Sequence, residues 1–160
     1  VARRCDPDAL FTAGLLHDIG ELVIFNRMPE QAREVLARVM ESGDELPVYE
    51  AERELMDFDH AAVGGELARQ WQLPTLLQEC IECHHDIAGA SRHPREAAIV
   101  HIANSLALMA ELDTLDPESV TPIATLAWLQ AGLEADCIEP AVREAQGAVN
   151  EIEQLFTPRR

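Results

Sequence analysis

The stretch Gly14-Leu15-Leu16-His17-Asp18-Ile19-Gly20 sets the reading of the whole chain: an apolar run, then a histidine and an aspartate, then a glycine. Helices commonly end on a glycine that takes a left-handed conformation. His17 and Asp18 are therefore expected in the last turn of a helix that is otherwise largely buried. Side chains of adjacent residues leave a helix about 100° apart, as its turn requires. Such a pair can hold one ion between them, or cap and pin two neighbouring helices. Standing alone, it would read as two buried groups satisfied by hydrogen bonds.

Three more histidines change that reading. His60 opens a second apolar helix, DHAAVGGELARQW, and His84 and His85 close a third, TLLQECIECHHD. In order and spacing these stretches resemble the HD superfamily of metal-dependent phosphohydrolases, and more closely its signalling offshoot, the HDOD (HD-related output domain) family. GLLHDIG at 14–20, HAAVGGELARQWQLP at 60–74, the double histidine at 84–85 and AAIVHIANSLA at 97–107 carry the resemblance. It implies an all-α, HD-domain-like helical bundle in which His17, Asp18, His60, His84 and His85 converge as metal ligands. His101 and Asn104 would stand behind them. Neutral imidazoles with one carboxylate suit Fe, Mn, Zn or Ni better than Ca.

The rest of the composition fits a helical domain. At 160 residues the chain is long enough for one domain with its own core, here taken as residues 1–160. Aromatics are few, while Ala, Leu, Glu and Arg are plentiful, which favours helix over sheet. A formal net charge of −17 repels phosphate backbones and anionic membranes, so nucleic acid is not an expected partner. No apolar run approaches the ~20 residues that span a bilayer, and no secretory signal opens the chain. Cys5, Cys80, Cys83 and Cys137 are then expected as free thiols in a reducing cytoplasm. The chain begins at Val1 rather than Met, as a piece of a longer protein would. The resemblance makes it the C-terminal portion of an HDOD unit.

Taken in order, Asp6-Pro7-Asp8 starts a helix that runs to about Asp18, with ELVIFNRM as a short apolar continuation. Pro29 opens a helix to about Met40 with Ala32, Val35, Leu36 and Val39 on one stripe; Ser42-Gly43-Asp44 breaks it. Pro47 starts another, charged on one side with Leu55, Met56 and Phe58 on the other. Asp59 caps the His60 helix, whose Gly64-Gly65 pair costs roughly 1 kcal/mol per glycine unless a neighbour approaches closely. Pro74 begins the helix of the double histidine. Pro94 then starts the most apolar helix, Ala97 to Leu112, placed at the centre of the bundle. Its polar residues His101, Asn104 and Ser105 share one face that could meet the His17/Asp18 pair. Asp116-Pro117 or Thr121-Pro122 marks the next start. A last helix, about Asp136 to Phe156, places Ile138, Val142, Ala145, Val149, Ile152 and Phe156 on a core stripe, with pairing to a second chain as the alternative.

Against the catalytic members of the superfamily, four departures stand out. No upstream histidine precedes the HD pair, the usual central-helix aspartate is Asn104, and the lysine that often follows HDIG is Glu21. The GYP signature of cyclic-dinucleotide phosphodiesterases is replaced by DIAGASRHP. Each change removes charge that would hold metal or substrate phosphate. Cys80-Ile81-Glu82-Cys83-His84 matches C-x-x-C-H, the haem-attachment pattern, but without an export signal it reads as coincidence. A redox pair lacks the strand–helix context, and a zinc site from Cys80, Cys83 and His84 is a weaker option. The expectation is a regulatory output domain of bacterial signal transduction, non-catalytic, with other signalling proteins or domains as partners. The rival is a metal-dependent phosphohydrolase acting on a nucleotide or cyclic dinucleotide.

Overall fold

Proline punctuates the chain. Pro7, Pro29 and Pro94 occupy the first positions of α1 (Pro7–Leu16), α3 (Pro29–Glu41) and α7 (Pro94–Glu111). Pro47 and Pro74 stand immediately before α4 (Val48–Met56) and α6 (Thr75–Cys83). A proline there lacks only an N–H that the first turn would leave unpaired. The remaining helices are α2 (Ile19–Arg27), α5 (His60–Gln70), α8 (Thr125–Ala131) and α9 (Ile138–Phe156), with short 3-10 turns at Ile87–Gly89 and Ala135–Cys137. The computed structural model describes residues 5–156 apart from 44, 45, 118, 119 and 121, and side chains as far as Val149. Among the described residues no strand occurs, so the fold is all-α as expected.

α7 is the central post. Ala98, Ile102, Leu106 and Met109 pack with Ala127 and Ala131 of α8 and Val142 of α9, while Val100 faces Ala13 of α1 and Leu77 and Cys80 of α6. Eight of its residues are buried, spread around the helix, which fits its lack of an amphipathic stripe.

The first departure lies at the opening stretch. α1 stops at Leu16, His17 and Asp18 form a turn, and α2 begins at Ile19. Gly20 is thus not a left-handed helix end; among glycines, only Gly43 and Gly132 have positive φ. Its smallness serves packing instead. A Cβ on Gly20 would run into the carbonyl oxygen of His60 and lie 2.7 Å from the amide nitrogen of Gly64. The Gly64-Gly65 pair is explained the same way, since added Cβ atoms there would meet Ile81 Cγ2 and Glu82 Cβ at 2.7 Å each. Three glycines therefore draw α2, α5 and α6 together.

Other expectations shift locally. The buried face of α4 is Ala51 and Glu52, whereas Leu55 is 46% exposed. Leu36 and Val149 are also largely exposed, so the α3 and α9 stripes are narrower than their sequence suggests. The side chains of Ile152 and Phe156 lie outside the described residues, as do Asp44 and Thr121 of the two proposed breaks. Pro117 stands in a 3-10 turn, and the next α-helix among the described residues starts at Thr125. Among the described residues no helix is long and apolar enough to cross a membrane.

Candidate metal centre

His17 and His84 are placed by the same local device. Each is the residue that ends its helix, α1 and α6 respectively. Carbonyls in a last helical turn have no partner within the helix. His17 Nδ1–H donates to the Gly14 carbonyl at 2.7 Å, and His84 Nδ1–H donates to the Ile81 carbonyl at 2.7 Å. This fixes the tautomer, because the nitrogen left over is the bare one. In both rings that is Nε2, and both Nε2 atoms are buried without a hydrogen-bond partner. His17 Nε2 does lie 2.9 Å from Asp18 Oδ2, but the two are poorly aligned for a hydrogen bond.

His60 comes from the opposite kind of position, the first residue of α5, with Asp59 as its cap through Oδ1 and the Ala62 N–H at 2.8 Å. Its Nε2 stands 3.5 Å from Asp18 Oδ1 and 3.0 Å from His85 Nε2. Asp18 Oδ1 is also 3.4 Å from His84 Nε2. The five side chains singled out in the sequence therefore meet at one place. Two overlapping groups, His60/His84/His85 and His17/Asp18/His84, each bring three ligand atoms within 4.8 Å of one another. Four ligands at about 2.0–2.1 Å around a tetrahedral ion sit roughly 3.4 Å apart. The spacings of Asp18 Oδ1 to His60 and His84 match that edge.

Electrostatics sort the rings. Burial lowers the pKa of His84 against the opposing pull of Asp18, and burial together with the neighbouring rings of His84 and His60 takes His85 down to about 2. Both are neutral and able to ligate. For His60, burial opposes charge most strongly, yet Asp18 and Glu52 outweigh it and carry the pKa to about 10. His17 is raised by Asp18, with a smaller push from Asn104, despite burial. Burial would raise the Asp18 carboxyl, but the His17, His60 and His84 rings that crowd it hold it far below the usual carboxylate range. Burial raises Glu21, a half-buried carboxylate within electrostatic reach of His60, Asp18 and Glu52.

The residues expected behind the ligands divide. His101 Nδ1–H donates to the His84 carbonyl at 2.6 Å, and its Nε2 accepts the Ala124 N–H at 3.1 Å. Both nitrogens are used, so His101 anchors the backbone of the double histidine and has no ring nitrogen left for an ion. Asn104 lies beside His17. Sequence reasoning missed Glu52. It is 3% exposed, and its Oε2 accepts His60 Nδ1–H at 2.6 Å and the His60 backbone N–H at 2.8 Å. One signal was available: with Val48, Ala51 and Leu55, Glu52 falls on an i, i+3, i+4, i+7 apolar stripe, an odd place for a carboxylate. Tyr49, one turn before it, stacks on His85 with centroids 4.1 Å apart.

The two cysteines of the C-x-x-C-H run are free thiols. Cys80 and Cys83 are buried, and burial pushes their thiols up to about 12 and about 11. Among the described residues neither belongs to a group able to hold a metal, and His84 is turned to the cluster.

A helical bundle that presses an HD pair against histidines from two further helices is an HD-like domain. The HDOD domain family matches residues 1–87, and the chain belongs to that family. A solved structure named "Putative phosphohydrolase" from Shewanella amazonensis SB2B superposes with a TM-score of 0.65 at 26% identity, over 88% of this chain and 52% of that one. An uncharacterized protein of Treponema pallidum (strain Nichols) is 29% identical over 80 residues, half of this chain and 15% of its own length. The chain thus spans about half of the solved relative and a small part of the curated one.

The residues fit a metal. Two buried imidazole nitrogens without partners, aimed at a carboxylate oxygen and a third imidazole, are costly to leave unmatched. A divalent transition ion held by His17, Asp18 and His84 would satisfy both; one held by His60, His84 and His85 would satisfy that of His84.

Proposed function

We propose that this domain is a cytoplasmic, non-catalytic regulatory module of bacterial signal transduction whose histidine cluster binds a divalent transition metal. The observation that carries it is the pairing of convergent, partnerless Nε2 atoms with a cluster short of positive charge for phosphate. Phosphoester hydrolysis at such a site needs a metal-activated water and cations for the phosphoryl oxygens. Asn104 supplies no charge to the ion and Glu21 adds a negative one beside it. The nearby cation Arg53 is committed to Asp59, whose Oδ2 it meets through Nε at 2.7 Å. Partners are other signalling proteins. The shallow apolar cleft of about 260 Å³ that Leu22 and Trp71 line with Ile19, Val23 and Leu67 supports a protein-binding role.

The second reading, a metal-dependent phosphohydrolase, is favoured by the name of the Shewanella relative. Elemental analysis of the purified protein, followed by phosphodiester assays with added Mn or Fe, separates them. Bound metal without turnover is the expected result. Metal-dependent turnover lost in His17→Ala overturns the regulatory reading, and protein that neither contains nor takes up metal overturns the metal site.

A further inference from the structure

His17 and His84 are oriented by carbonyls of their own helices. His60 has no such support, because at the first position of α5 the helix offers free N–H groups and no free carbonyl behind it. Something else must hold its ring. Glu52 does so from α4, taking the ring Nδ1–H and the backbone N–H of the same residue with one oxygen. A carboxylate suits that place, since a helix N-terminus favours negative charge.

The alternative is that Glu52 merely satisfies a helix end. Asp59 already caps α5 through the Ala62 N–H, so the cap does not require a second acid. Burying a carboxylate is costly unless it is paired, and an apolar residue on this stripe would pack at lower cost. The neighbours of Glu52 on α4 also serve the cluster. Tyr49 stacks on His85 and lies under the Arg53 guanidinium at 5.1 Å, while Arg53 holds Asp59 just ahead of His60. One helix face, at i, i+3 and i+4, is given over to orienting two histidines.

We propose that Glu52 is a positioning residue for the histidine cluster: it fixes His60 with Nδ1 protonated and Nε2 directed into the site, and so sets the affinity for metal. This rests on the metal-binding reading above, and the test separates the two. Nitrogen-15 spectra of the imidazoles are recorded on metal-free and zinc-loaded protein, and zinc affinity is measured by chelator competition for Glu52→Leu and Glu52→Gln. His60 is expected to keep its Nδ1 proton in a slowly exchanging bond in both forms, with zinc on Nε2. Glu52→Leu should lose about 10–100-fold in zinc affinity, the usual scale for a carboxylate behind a metal-bound histidine. Glu52→Gln, which keeps an acceptor, should recover most of it, a rescue that helix capping alone would not produce in the His60 spectrum.

A wild-type His60 whose Nδ1 carries no bonded proton overturns the proposal, as does a folded Glu52→Leu that binds zinc like the wild type. If Glu52→Leu does not fold, the wild-type spectrum still decides. Wild-type protein that takes up no zinc overturns the metal reading, while the metal-free spectrum continues to report whether Glu52 holds His60.

Discussion

Asp18 Oδ1 stands 3.4 Å from His84 Nε2, and that nitrogen is buried with no hydrogen-bond partner. His84 belongs to both groups of candidate ligands. Its single lone pair can serve one ion, so the two groups cannot both be filled through it. Zinc should therefore bind with a stoichiometry of one and stabilise the fold by mass action. At about 100 times its dissociation constant it adds about 2.7 kcal/mol. For a domain of this size that is a rise in melting temperature of roughly 5–10 °C. His84→Ala should abolish the rise. A scan in which zinc shifts the variant as far as the wild type would remove His84 from the site.

Two glycines in adjacent helices should respond oppositely to alanine. Gly14 has nothing within 4 Å of where a Cβ would stand, and it sits inside α1 with ordinary helical φ. Gly14→Ala should stabilise the domain by about 0.5–1 kcal/mol. Gly20→Ala drives a methyl into the His60 backbone and should cost about 3 kcal/mol or more by overpacking. Because the clash lies at His60, metal affinity should fall with it. Denaturant unfolding of both variants checks the signs; a neutral Gly20→Ala would mean that α2 and α5 are not pressed together at that point.

The same pair of helices shows what was legible in the sequence. The HD pair and the histidines stand out because each is rare in an apolar setting, and proline and aspartate mark the helix starts on either side of them. What could not be read was why Gly20 is glycine, because helix termination and close packing leave the same letter. Glu52 was hidden for a related reason: it is one of 29 acidic residues, and burial, which distinguishes it from the others, is a property of the fold. His101 carried the opposite ambiguity. It shares a helix face with Asn104, yet its ring is consumed by the backbone at His84 and Ala124.

Asn104 beside His17 is neutral where a carboxylate would favour a bound cation. Asn104→Asp should raise zinc affinity by about tenfold, the effect of roughly 1.4 kcal/mol of added attraction. Glu21→Lys, which would exchange a half-buried carboxylate for an ammonium, should lower it. Calorimetric titration of each variant measures both. Equal affinities across the series would show that Asn104 and Glu21 lie too far from the ion to govern it, and would weaken the electrostatic case against turnover.

Away from the cluster, Glu79 of α6 ties down the approach to α7. It accepts the N–H groups of Arg92 and His93, the latter at 2.7 Å, and the Ser91 hydroxyl at 3.3 Å. Burial would raise its carboxyl, but the backbone N–H groups of His93, Arg92 and Ser91 outweigh burial and hold it below its ordinary value. A folded pKa beneath the unfolded one means that the unfolded chain takes up the proton first as pH drops. The contribution is therefore complete above the unfolded value near 4.3 and is lost as pH falls through the folded one. Hydrogen bonds to a charged group give about 1.5–3 kcal/mol, reduced here to about 1 kcal/mol because Glu79 is only partly buried and solvent screens it. Glu79→Gln should be less stable than the wild type by about that amount at neutral pH, with the gap closing toward about pH 3. Urea unfolding at the two pH values tests this, and a gap that stays constant would assign the loss to geometry and not to charge.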